Sequence, residues 1–155
     1  MSKEIILKEI VQEVRDLVQS EKNVTAVMQQ ICEKLHERID VYDWVGFYLD
    51  DTETERQLIL GPYVGPATDH TKIPYGRGIC GQVAESHETF VVEDVNQQAN
   101  YLSCSVNVKS EIVVPVMKNG VFVAQLDIDS NTLAAMDATD QKYLEEICEI
   151  IAPLF

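Results

Sequence analysis

Apolar residues at positions 6, 7, 10, 11, 14, 17 and 18 recur at three- and four-residue intervals, the spacing of one helix face. A second stripe, made of Val24, Val27, Met28, Ile31, Cys32, Leu35 and Ile39, predicts another helix directly after it. At Trp44 the pattern changes. Trp44-Val45-Gly46-Phe47-Tyr48-Leu49 is dense in aromatic and aliphatic residues, ends at Asp50-Asp51, and finds a hairpin partner in residues 57–60. Residues 61–75, punctuated by Gly61-Pro62, Gly65-Pro66 and Pro74, are expected to be loop. A short helix from near Ile79, the short strand Phe90-Val91-Val92 and a polar loop over 94–105 follow. Residues 111–117 and 121–128 predict two strands joined through Lys118-Asn119-Gly120, where Asn-Gly is a strong hairpin signal. Asp137 is placed to N-cap a last helix that buries Leu144, Ile147, Cys148 and Ile151.

These elements describe one α+β domain over residues 1–155, with an antiparallel sheet and the N- and C-terminal helices packed on one face. A chain of this length buries roughly 68–70% of its unfolded surface, enough for one core without staples. Lys and Arg total 12 against 26 Asp and Glu, a net charge of −14. That balance argues against nucleic acid and against an anionic membrane surface, both of which need a basic footprint. Its ordinary meaning is solubility. The first ten residues lack the apolar stretch of a signal peptide, and runs such as Ile112-Val113-Val114-Pro115-Val116-Met117 fall far short of the roughly 18 residues that span a bilayer. Cys32, Cys80, Cys104 and Cys148 show no C-x-x-C spacing, so a reducing cytoplasm is the expected compartment and any disulfide there is transient.

The four thiols separate by context. Cys32 and Cys148 lie on apolar helix stripes, where a free cysteine acts as a small hydrophobe. Cys80 stands in Gly76-Arg77-Gly78-Ile79-Cys80-Gly81, at the start of the short helix. A helix N-terminus and a nearby arginine both favour a thiolate, while packing at a tight turn is an equally good explanation. Cys104 sits in a polar loop, Tyr101-Leu102-Ser103-Cys104-Ser105, with no apolar periodicity to explain it. Gly76-x-Gly78-x-x-Gly81 also matches the dinucleotide fingerprint, but without a buried parallel strand before it the match is read as coincidence. His36, His70 and His87 are scattered without metal-ligand spacing, so no metal site is expected.

Asp127 and Asp129 stand two apart on a predicted strand and so share a face, with Ile128 opposite. Glu111 heads the partner strand, so the three acids can converge. In an acidic protein a solvated strand end is the ordinary reading of such residues.

The strings Trp44-Val45-Gly46-Phe47-Tyr48, Leu60-Gly61-Pro62-Tyr63, Gly76-Arg77-Gly78-Ile79-Cys80-Gly81, Ser110-Glu111-Ile112-Val113-Val114-Pro115 and Leu126-Asp127-Ile128-Asp129-Ser130 together resemble the free methionine-R-sulfoxide reductases, single-domain enzymes on the GAF fold. The resemblance runs in unbroken order from about Asp43 to Ser130. It implies thiol-dependent reduction of free L-methionine-R-sulfoxide, with Cys104 as nucleophile, Cys80 as a neighbouring thiol, and no cofactor beyond an external dithiol such as thioredoxin. It implies that Glu111, Asp127 and Asp129 are active-site acids and that Trp44 and Tyr48 line the pocket. It also implies a homodimer; the N-terminal helices offer a surface for one but can equally cover the sheet.

The chain departs from the family at one point. Members usually carry a further cysteine ten residues before that of Gly-Arg-Gly-x-Cys, and here that position is His70. Cys80 or an external thiol must then resolve the oxidised nucleophile. The alternative is a GAF module that binds a small molecule without turnover, as a sensor or degenerate reductase; the fold alone does not choose between them.

Overall fold

A computed structural model describes residues 2–101 and 107–155. The elements run α1 (Lys3–Ser20), α2 (Val24–Arg38), β1 (Trp44–Asp50), β2 (Gln57–Val64), β3 (Lys72–Pro74), α3 (Gly78–Ser86), β4 (Phe90–Val92), β5 (Ser110–Lys118), β6 (Val121–Ser130) and α4 (Ala138–Ile151). The six strands form one antiparallel sheet in the order β3-β2-β1-β6-β5-β4. No helix among the described residues is long and apolar enough to cross a membrane.

The predicted stripes become the helix side of the core. Leu7, Ile10, Val11 and Val14 of α1, Val27, Met28, Ile31, Cys32 and Leu35 of α2, and Leu144, Ile147, Cys148 and Ile151 of α4 are buried. They pack with Val45 and Phe47 of β1, Ile112, Val114 and Val116 of β5, and Ala124, Leu126 and Ile128 of β6. The N-terminal helices therefore spend their apolar faces within the chain. Asp137 caps α4 through a reciprocal capping box with Asp140, worth about 1 kcal/mol. Tyr42 donates to the buried Asp140 at 2.5 Å, and Lys3 pairs with the same carboxylate at 3.0 Å.

The other sheet face carries a second, smaller core of Trp44, Tyr48, Val113, Val92 and the apolar side of α3. Alternation along each strand separates the two cores, so the same strands serve both.

The stretch over 61–75 departs from the loop expectation. β2 continues to Val64 and β3 adds a three-residue edge strand. Pro62 lacks an N–H, yet it is accommodated because the β1–β2 register shifts between Gly46 and Tyr48, opposite Gly61-Pro62. Pro74 sits on the outermost strand, where no ladder partner is lost. With every strand pair antiparallel, the glycine string at the start of α3 lacks the parallel βαβ setting of a dinucleotide site.

Candidate active site

The site face of β6 presents Gln125, Asp127 and Asp129, each flanked by a residue of β1 and one of β5. Asp129 lies between Trp44 and Glu111, Asp127 between Gly46 and Val113, and Gln125 between Tyr48 and Pro115. The three acids therefore converge rather than stand in solvent: Glu111 is 5% exposed, and Asp127 and Asp129 1% each. Gln125, fully buried on the same face, escaped the sequence reading. The signal was present, since Gln125-Leu126-Asp127-Ile128-Asp129 alternates polar and aliphatic residues over its whole length.

Above this floor, α3 delivers Cys80. Gly76 and Gly78 adopt positive φ values of 86° and 67°, which glycine reaches without strain and which turn the chain sharply into the helix. Cys80 Sγ lies 3.9 Å from Glu111 Oε2, and Cys80 also faces Asp127. The thiolate expected from the helix terminus and Arg77 is not what this environment favours. Burial, and then the carboxylates of Asp127, Glu111 and Asp129, push the thiol well above its ordinary value. Arg77 is exposed and does not outweigh them.

The acids are shifted as well. Burial raises Asp127, partly offset by hydrogen bonds from Glu111 and Cys80. Burial and then the charge of Asp127 hold Asp129 well above the usual carboxylate range. Burial and the neighbouring charge therefore both favour a protonated carboxyl in this pair. Asp127 Oδ1, Asp129 Oδ1 and both polar atoms of the Gln125 amide meet no hydrogen-bond partner among the described residues.

Two spaces open on the cluster. The smaller, about 10 Å³, is lined by Cys80, Glu111, Asp127, Tyr48 and His70. The larger, about 210 Å³, is lined by Trp44, Pro66, Asn107, Val108, Asp129 and Asn131. It is smaller than the roughly 300 Å³ of drug-sized sites and suits one free amino acid. Trp44 stacks on Tyr63 at a centroid distance of 5.3 Å and on Tyr48 at 6.3 Å. Its indole N–H donates to Pro66 O at 3.0 Å, so the apolar wall is fixed from both ends. Gly46 makes room for the stack: a Cβ there would fall 2.4 Å from the indole ring. Tyr48 donates to the carbonyl of His70 at 2.8 Å.

An open groove of about 580 Å³ between β5 and α4 is larger. Its thiol is Cys148, which burial pushes far up, and the acid cluster lies on the opposite face of the sheet. Cys32 is likewise buried and raised. Cys104, the predicted nucleophile, lies outside the described residues.

This sheet, with helices on one face and a short helix over a polar pocket on the other, is a GAF domain, and the GAF domain family model matches residues 21–155. The chain is 30% identical over 131 residues to the free methionine-R-sulfoxide reductase of Escherichia coli, an alignment covering 84% of this chain and 77% of that protein. It is 37% identical over 150 residues to GAF domain-containing protein A of Dictyostelium discoideum, covering 97% and 92% of the two chains. The structure of free methionine-R-sulfoxide reductase from Neisseria meningitidis in complex with its substrate superposes with a TM-score of 0.94 at 37% identity, covering 100% of this chain and 91% of that one. The chain belongs to the free methionine-R-sulfoxide reductases, oxidoreductases built on a GAF domain.

Proposed function

We propose that the protein reduces free L-methionine-R-sulfoxide to methionine, with Cys104 as the attacking thiol. The observation that carries this reading is Asp129, which lines the amino-acid-sized cavity beside Trp44 and also belongs to the buried cluster with Glu111, Asp127 and Cys80. Reduction needs a hydrogen-bond donor for the sulfoxide oxygen, an apolar wall for the methyl group and an anionic partner for the substrate ammonium. An acid pair sharing a proton, flanked by an indole, supplies all three.

In the proposed reaction the Cys104 sulfur attacks the sulfoxide sulfur, while a protonated acid of the Asp127–Asp129 pair donates to the sulfoxide oxygen. The S–O bond breaks, methionine leaves, the oxygen ends on Cys104 as a sulfenic acid with the donated proton, and the Cys104 thiol proton replaces the one the acid pair gave. Cys80 then condenses with the sulfenic acid, releasing water and forming a disulfide. A dithiol such as thioredoxin reduces that disulfide and restores both thiols. Because the Cys80 thiol is held protonated, its attack requires that its proton pass to a neighbour; the Asp127 carboxylate beside it is the acceptor we assign.

Asn107 and Val108, which line the larger cavity, follow Cys104 in the chain by three and four residues, in keeping with a nucleophile delivered to that cavity. A pocket that engages a free ammonium and carboxylate excludes sulfoxide inside a polypeptide. A reducing cytoplasm and a homodimer belong to the same proposal, and sedimentation velocity of the purified chain tests the dimer.

The test of the chemistry is mass spectrometry of protein oxidised by substrate, then alkylated without reductant. A Cys80–Cys104 disulfide is expected, with Cys104→Ser unable to consume sulfoxide. Turnover by Cys104→Ser excludes that residue as nucleophile, and an alkylated Cys80 in fully oxidised protein removes it as resolver.

A further inference from the structure

Cys80, Glu111 and Asp127 come from α3, β5 and β6, and they are 31 and 16 residues apart along the chain. No ligand spacing in the sequence announces them as a set. In the fold, one donor atom from each lies within 4.8 Å of the other two, and all three residues are buried. Cys80 Sγ and Glu111 Oε2 are 3.9 Å apart. Neighbouring sulfur and oxygen ligands of a tetrahedral zinc ion are about 3.6 Å apart, given bonds of about 2.3 and 2.1 Å. The Cys80–Glu111 pair stands a few tenths of an ångström wider than in a coordination shell.

A second observation points the same way. Asp127 is 1% exposed, lines the small cavity, and its Oδ1 has no hydrogen-bond partner among the described residues. A buried carboxylate oxygen without a donor is costly, and a cation removes that cost. The cavity volume of about 10 Å³ matches one water-sized occupant and excludes an amino acid.

We propose that Cys80 Sγ, Glu111 and Asp127 form a binding site for a single borderline or thiophilic divalent cation of the zinc and cadmium class. One soft sulfur with two carboxylates selects such ions over magnesium and calcium, which take oxygen ligands. Binding forms a sulfur–metal bond and releases the Cys80 proton to solvent, and the two carboxylates complete an anionic donor set. Three protein donors leave a fourth position for water. The site shares Cys80 and Asp127 with the proposed reductase centre but does not rest on that reading, since its test measures the metal and not turnover.

The experiment is titration of the fully reduced 155-residue chain with Cd²⁺ in thiol-free buffer under argon, following the thiolate-to-cadmium charge-transfer band. One equivalent is expected to saturate the band in the wild type and in Cys104→Ser, Cys32→Ser and Cys148→Ser. The band should vanish in Cys80→Ser, and the apparent Kd should rise at least tenfold in Asp127→Asn and Glu111→Gln. Excess Mg²⁺ should not compete. A band that survives in Cys80→Ser, disappears in Cys104→Ser or is unchanged by Asp127→Asn overturns the site. Circular dichroism checks folding of each variant; should Cys80→Ser not fold, the isosteric Asp127→Asn decides.

Discussion

The side chain of Asn100 accepts a hydrogen bond from the N–H of Gly78 at 2.9 Å and donates to the carbonyl of Gly76 at 2.7 Å. One amide thus caps the first turn of α3 and fastens the sharp glycine turn that leads into it. Arg77, the N-cap residue, makes no side-chain cap of its own. Asn100 is also four residues before Cys104, so it ties the chain leading to the proposed nucleophile to the helix that carries Cys80.

Asn100→Ala should therefore cost about 1 kcal/mol, as loss of a helix cap does. It should slow Cys80–Cys104 disulfide formation severalfold while leaving the first sulfoxide turnover nearly intact. Quenched-flow single-turnover kinetics separate the two steps, and equal losses in both would deny Asn100 a positioning role.

Gly46→Ala should disturb the aromatic wall, because the new Cβ meets the indole of Trp44 and, at 2.7 Å, Cβ of Tyr63. A destabilisation of about 1–3 kcal/mol is expected from the overpacking. Trp44 is the single tryptophan, so its emission reports the displacement directly. An unshifted spectrum with unchanged urea stability would show that the stack tolerates the methyl.

The raised carboxyl of Asp129 has a defined effect on stability. Above its ordinary value of 3.8, the unfolded chain has lost this proton while the folded chain still holds it. Unfolding then releases a proton, so stability falls as pH rises from 3.8 towards the folded pKa. Each unit of the raise is worth about 1.4 kcal/mol. Asp129→Asn should remove that slope and gain progressively on the wild type as pH rises above 3.8 in urea melts. Parallel pH profiles for the two proteins would contradict the shift.

Much of this site was legible in the sequence because it is written in strand alternation. Asp127 and Asp129 project together for the same reason that Leu126 and Ile128 enter the opposite core. What was not legible depended on contacts between distant elements. The state of the Cys80 thiol is set by burial and by carboxylates from β5 and β6, and local sequence displays only the opposing helix terminus and Arg77. The extent of β2 was hidden for another reason: Gly61-Pro62 is a turn signal in isolation and a bulge once β1 lies beside it.

Cys32 and Cys148 should resist alkylation in the folded protein and react only on unfolding, since burial holds both thiols far up. Native-state iodoacetamide labelling read by peptide mass spectrometry checks this. Rapid modification of either at neutral pH would show that its helix face opens.

The central claim is tested most directly by consumption of free L-methionine-R-sulfoxide under dithiothreitol, which removes the resolving step from the measurement. The account predicts turnover of the free R epimer alone, with the S epimer and peptide-bound sulfoxide untouched and activity abolished in Cys104→Ser. No turnover by folded protein whose Cys104 thiol still titrates would contradict it.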